Sequence, residues 1–163
     1  IQDMVEESTL EEVTRGFYRL SEQEHEQYSD LENISAVIPE AVFCLISALD
    51  FHGIGTQRAF DFHIALPRGK RKPEREDFSI QHYYFSDDSY KSGIEDHGSF
   101  KVYCPAKTVA DCFKFRNKIG LDVALEAMKE TIRSKKATRA EIIAQAEVCR
   151  VRKVIFPYLE AFS

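Results

Sequence analysis

The chain has 163 residues, 44% of them hydrophobic and 30% charged, with a formal net charge of −5. That length holds one good core, or one core and a small satellite, and the composition is ordinary for a globular protein. No apolar run approaches the roughly 20 residues that span a bilayer, so a membrane role is not expected.

Charge is unevenly spread. Residues 1 to 32 carry ten acidic and two basic side chains, a balance of −8, which leaves +3 for the remainder. The low overall pI therefore does not exclude an anionic partner. The start, Ile1-Gln-Asp-Met-Val-Glu-Glu7, is acidic and shows no signal-peptide pattern. Because the first residue is not Met, the chain is expected to be a fragment or a processed product. Cys44, Cys104, Cys112 and Cys149 form no C-x-x-C pair. They are expected to be buried free thiols of a reducing cytoplasm, with no metal or other cofactor.

The spacing predicts a helix end over 2 to 7, then two short strands, 10 to 13 and 17 to 20, around a turn at Arg15-Gly16. Residues 21 to 29 are polar, without apolar period, and read as a linker. Asp30 to Ile38 opens on a capping residue and reads as a helix stopped by Pro39. Ala41 to His52 is an apolar helix with a short strand at its start. Phe60 to Leu66 and Ser79 to Phe85 are strands. The proline-bounded loop Pro67 to Pro73 between them holds Arg68, Lys70, Arg71 and Lys72.

A short helix over 86 to 92 and a hairpin of 93 to 97 with 100 to 104 follow. Helices are then expected over 106 to 118, 121 to 134, 138 to 149 and 151 to 162. Pro105 suits a first turn, Gly120 a stop, Thr138-Arg-Ala-Glu141 a capping box, and Pro157 a kink. The order predicts an α+β fold: a small mixed sheet packed with helices, and a C-terminal helical run. It is not the regular βαβ alternation of a Rossmann sheet.

The candidate functional residues are cationic. On the 106 to 118 helix, Ala106, Val109, Ala110 and Phe113 form one stripe, and Lys107, Asp111, Lys114 and Lys118 another. Arg116 lies close to the apolar stripe, where a guanidinium needs a carboxylate (Asp111 or Asp122) or carbonyls. No nucleophile elbow is present. Asp61 suits the first acid of a nuclease metal site, but strand 79 to 85 lacks the acid-x-Lys that would complete it. His52 and His63 read as hydrogen-bonded core imidazoles.

Three segments, Gly16-Phe-Tyr-Arg-Leu20, Ala41 to His52 with Ile64-Ala-Leu-Pro-Arg-Gly69, and Tyr103 to Lys118, resemble AbiEi-type antitoxins, the transcriptional regulators of a bacterial toxin–antitoxin class. The resemblance covers about residues 10 to 163. It implies that 1 to 20 is the remnant of a winged helix-turn-helix, a helix end and its wing, and that 30 to 163 is the antitoxin domain. It implies operator DNA as a partner of the complete winged helix, with Arg15, Gly16 and Arg19 at the wing of this fragment. The functional partner it implies is a nucleotidyltransferase-like toxin. The surface opposing that toxin is then expected to include Arg68, Lys70, Arg71, Lys72, Lys107, Lys114, Arg116 and Lys118. No catalytic residues follow from the family. The alternative class is a nucleic-acid-processing enzyme on a degenerate nuclease-like domain.

Overall fold

The computed structural model describes residues 10–14, 17–20, 22–56, 58–71 and 78–162, with side chains from residue 28 onward. The expected helix end before residue 8, Arg15, Gly16 and Lys72 lie outside the described residues, as does the side chain of Arg19. The chain divides into two compact units, Ile1–Pro39 and Glu40–Ser163.

In the first unit, strands β1 (Leu10–Thr14) and β2 (Phe17–Leu20) pair antiparallel, with Leu10 opposite Leu20 and Glu11 opposite Arg19. A register shift between Glu12 and Thr14 marks a bulge. Helix α1 follows over Glu22–Val37. The expected linker at 21 to 29 is therefore helical from Glu22 onward. Its Glu and Gln residues favour helix, and its lack of an apolar stripe hid it. The unit boundary falls at Pro39, where Pro restricts the preceding backbone, rather than at residue 29.

The second unit is built on a five-stranded mixed sheet of order β5-β4-β3-β7-β6. Its strands are β3 (Val42–Phe43), β4 (Phe62–Pro67), β5 (Ile80–Phe85), β6 (Ile94–Asp96) and β7 (Lys101–Tyr103). β4 runs parallel to β5 and antiparallel to β3; β3 runs parallel to β7, and β6 antiparallel to β7. Helix α2 (Leu45–His52) connects β3 to β4, and α3 (Asp87–Lys91) follows β5. The C-terminal run is α4 (Pro105–Lys114), α5 (Arg116–Ile119), α6 (Leu121–Arg133), α7 (Arg139–Val148) and α8 (Arg152–Ala161). The fold is α+β. No helix among the described residues is long and apolar enough to cross a membrane.

Local chemistry sets the helix ends. Thr138 Oγ1 accepts from the Glu141 amide at 3.1 Å, and Glu141 Oε1 accepts from the Thr138 amide at 2.8 Å, which closes the expected capping box. Gly120 sits at φ 103°, between α5 and α6, where a side chain is disfavoured. Pro157 lies inside α8 without ending it.

The expected 106 to 118 helix is interrupted. Phe115, at φ −106° and ψ 27°, separates α4 from α5. Its ring lies 5.5 Å from that of Phe85 and 5.2 Å from that of Tyr83. Aromatic packing onto β5 thus accompanies a local break that propensity does not foretell.

Helix α4 occupies the centre, against α2, α6 and α7. Every residue from Ala106 to Phe113 is buried. Burying Phe113 alone stabilises by about 1.5–3 kcal/mol. Central placement has a consequence for charge: Lys107 and Asp111 are 0% and 1% exposed. Lys107 Nζ lies 3.0 Å from Asp111 Oδ2, 3.8 Å from the Tyr103 ring centroid and 4.5 Å from that of Phe85. The Cys149 thiol donates to Asp111 Oδ1 at 3.4 Å. Lys before Asp is the weaker order for an isolated helix, so tertiary enclosure holds this pair. Gly93 lets it fit: a Cβ there would stand 2.6 Å from Lys107 Cβ, and its φ is 76°.

Candidate functional site

The structure disperses the expected cationic surface. Lys107 must be removed from it. Its ammonium is sealed in the core by Asp111, Tyr103 and Phe85, so it cannot meet a partner. Arg116 is half-buried and turns back on the end of α4, where Nη1 donates to the Phe113 carbonyl at 2.8 Å. Carbonyl capping thus takes the place expected for Asp111 or Asp122, and suits a cation at a helix C-terminus. Lys70 lies 3.6 Å from Glu40, and Arg71 is exposed.

Two of the remaining cations converge. Arg68, just after β4, and Lys114, at the end of α4, line one recess of about 220 Å³. The recess sits at the carboxyl ends of the parallel pair β4–β5, a position that open sheets favour for ligands. Arg150, which sequence reasoning missed, is its third cation. Its φ of 59° is left-handed and uncommon for a side-chain-bearing residue. The amide of Arg150 reaches the Glu147 carbonyl at 3.1 Å, and that of Val151 the Ala146 carbonyl at 2.8 Å, so the turn ending α7 fixes it. The available signal was the basic run Arg150-Val-Arg-Lys153 at an expected helix break. Among the described residues none of these three cations forms an ion pair.

Ser86, Ser89 and the half-exposed ring of Tyr84 complete the polar and aromatic lining. The floor is chemically quiet. Cys149 lies 3.7 Å from Ser89 Oγ, and burial pushes its thiol up to about 12. Burial likewise raises Cys44 and Cys112, so none of these three is a poised nucleophile. Burial also raises the Asp111 carboxyl, against the pull of Lys107. The recess can hold a small anion by charge and hydroxyl hydrogen bonds.

Lys118 lines a different opening. A cleft of about 420 Å³ lies at the opposite end of β4–β5, with Arg58, Phe60, Asp61, His63, Gln81 and Tyr83. Asp61 accepts from Ser79 Oγ at 2.7 Å and Gln81 Nε2 at 3.1 Å, and these bonds hold its carboxyl below the usual range. Its neighbour on β5 is thus an amide donor where a nuclease needs a second acid. His63 Nδ1 pairs with the Tyr83 hydroxyl at 3.0 Å, and His52 Nε2 with the Tyr103 carbonyl at 2.9 Å. Burial lowers the pKa of both imidazoles. Among the described residues no three His, Cys, Asp or Glu side chains group as a metal would need.

No protein-family model matches the chain, and no curated protein is significantly similar to it.

Proposed function

We propose that this chain is the antitoxin and autoregulatory transcriptional repressor of a bacterial toxin–antitoxin pair. In this reading residues 40 to 163 oppose a nucleotidyltransferase-like toxin without catalysis of their own. The hairpin of 10 to 20 is the wing of a winged helix that, when complete, binds operator DNA. A cytoplasmic location goes with both roles.

The observation that supports the reading is the meeting of Arg68, Lys114 and Arg150 around one recess. Three cations from three segments, none in an ion pair among the described residues, on a chain of net −5 form a place where an anionic partner is favoured. The sequence resemblance supplies the class. The quiet thiols and the donor environment of Asp61 fit a binding role better than the nuclease alternative.

The test is co-expression with the nucleotidyltransferase-like product of a neighbouring reading frame. The chain restores colony formation in cells that the toxin alone arrests. Equal arrest with and without the chain contradicts the reading. Magnesium-dependent cleavage of RNA or DNA by the purified chain, lost in Asp61→Asn, would replace it with the nuclease alternative.

A further inference from the structure

The cleft at Lys118 is separate from the cationic recess, and the reading above uses it only to weigh Asp61 against a nuclease role. Phe60, at its mouth, is 94% exposed, the most exposed large hydrophobic side chain among the described residues. The next, Val37, is 48% exposed. Leaving a phenyl ring bare to water is unfavourable, and a flat ring at a cleft mouth suits stacking by a planar ligand.

Charge narrows the ligand. Arg58 and Lys118 are exposed and form no ion pair among the described residues. Lys118 Nζ lies 5.6 Å from the Tyr83 ring centroid, which directs it over the cleft wall. Asp61 lines the same cleft, and its carboxylate has accepting capacity beyond its bonds to Ser79 and Gln81. A purely anionic ligand meets Asp61 unfavourably, and a purely cationic one meets Arg58 and Lys118. A ligand with an anionic group at one end and ring N–H donors at the other satisfies all of them. At about 420 Å³ the cleft falls within the range of small-molecule sites, about 300–1,000 Å³, whereas the recess falls below it.

We propose that this cleft binds a nucleotide unit: its base stacks on Phe60 and donates N–H groups to Asp61, and its phosphate lies between Arg58 and Lys118. Guanine fits best, because its N1–H and exocyclic amine are adjacent donors and a carboxylate offers two acceptors. The unit is a free nucleotide or the terminal residue of an RNA strand.

Calorimetric titration of the purified full chain tests this without any toxin, so its outcome is independent of the antitoxin reading. The ligands are GMP, UMP, ribose 5-phosphate, guanosine, and two short RNAs ending in G or in U. Saturable binding of GMP, tighter than UMP and much tighter than ribose 5-phosphate or guanosine, is expected. Phe60→Ala and Lys118→Ala each weaken it about tenfold or more, and Arg150→Ala leaves it unchanged. Phe60 is already exposed, so its removal leaves the melting temperature unmoved. Binding of the G-ended RNA alone, with the same two variant effects, supports the proposal with a strand end as the source. Ribose 5-phosphate binding as tightly as GMP overturns it in favour of a plain anion site. Absence of binding by every ligand, or indifference to Phe60→Ala, also overturns it.

Discussion

Replacing Lys107 by Met tests the enclosed charge at the heart of α4. The substitution keeps most of the side-chain volume and removes the ammonium 3.0 Å from Asp111 Oδ2. Among the described residues Asp111, 1% exposed, is left with only the Cys149 thiol at 3.4 Å as a side-chain partner. Breaking one side of a buried pair costs about 3–5 kcal/mol, because the orphaned charge keeps its desolvation penalty. For a unit of this size that corresponds to a fall of roughly 10–20 °C in Tm. The double variant Lys107→Met/Asp111→Leu removes both charges and recovers most of the loss, since apolar replacement of a buried pair is near neutral.

The sign with pH follows from the orphaned carboxyl. Burial, already raising Asp111 in the wild type, is opposed only by the Cys149 hydrogen bond among the described residues once Lys107 is gone. A carboxyl raised above its unfolded value penalises folding above the folded pKa, and the penalty fades as pH falls towards about 3.8. Urea denaturation followed by circular dichroism at pH 7 and pH 5 reads both effects. The deficit of Lys107→Met shrinks at pH 5, while the double variant shows no such gain. A single variant within about 1 kcal/mol of wild type, or a double variant no more stable than the single, would refute the reasoning.

Gly93→Ala should destabilise by about 2–4 kcal/mol, since the new Cβ meets Lys107 Cβ at 2.6 Å on a left-handed backbone; a denaturation midpoint near wild type contradicts that close approach. Thr138→Ala opens the capping box and should cost about 1 kcal/mol, read as a Tm lower by a few degrees. His52 and His63 titrate below their ordinary 6.5 through burial, so the unfolded chain binds more protons as pH falls below that value. Stability is accordingly lost with acidification from about pH 6.5, and His63→Gln flattens part of that loss; an unchanged slope contradicts the buried neutral imidazole. Duplex DNA should bind this chain weakly and without much specificity; tight, sequence-selective binding in a mobility-shift titration contradicts the expectation.

Elements with a local signature were legible in the sequence. The strands expected over 60 to 66 and 79 to 85, which form over 62 to 67 and 80 to 85, the Thr138–Glu141 box and the stop at Gly120 each state their structure within a few residues. The pairing of 10 to 14 with 17 to 20 was equally local. Helix α1 was not legible over 22 to 29, because a helix without an apolar stripe has the composition of a linker. Nor was the break at Phe115, which is tied to rings on a distant strand.

The site divides in the same way. The i,i+4 relation of Lys107 and Asp111 was visible, but a lysine on a charged stripe implied exposure. Only the crowding of α4 by α2, α6 and α7 shows it enclosed. Arg68 and Lys114 were each legible as cations, while their meeting at one recess with Arg150 depends on how α7 ends beside β5. Of the cleft, Asp61, His63 and Lys118 were each singled out in the sequence, while Arg58 lies in no motif and Phe60 was expected within a strand that starts at Phe62.

The central claim is that the cations at the recess oppose the toxin. The direct measurement is colony survival under toxin expression with Arg68→Glu/Lys114→Glu/Arg150→Glu in place of the wild-type chain, at matched protein level and melting temperature. The account predicts loss of rescue with the fold intact. Full rescue by the triple variant would contradict it.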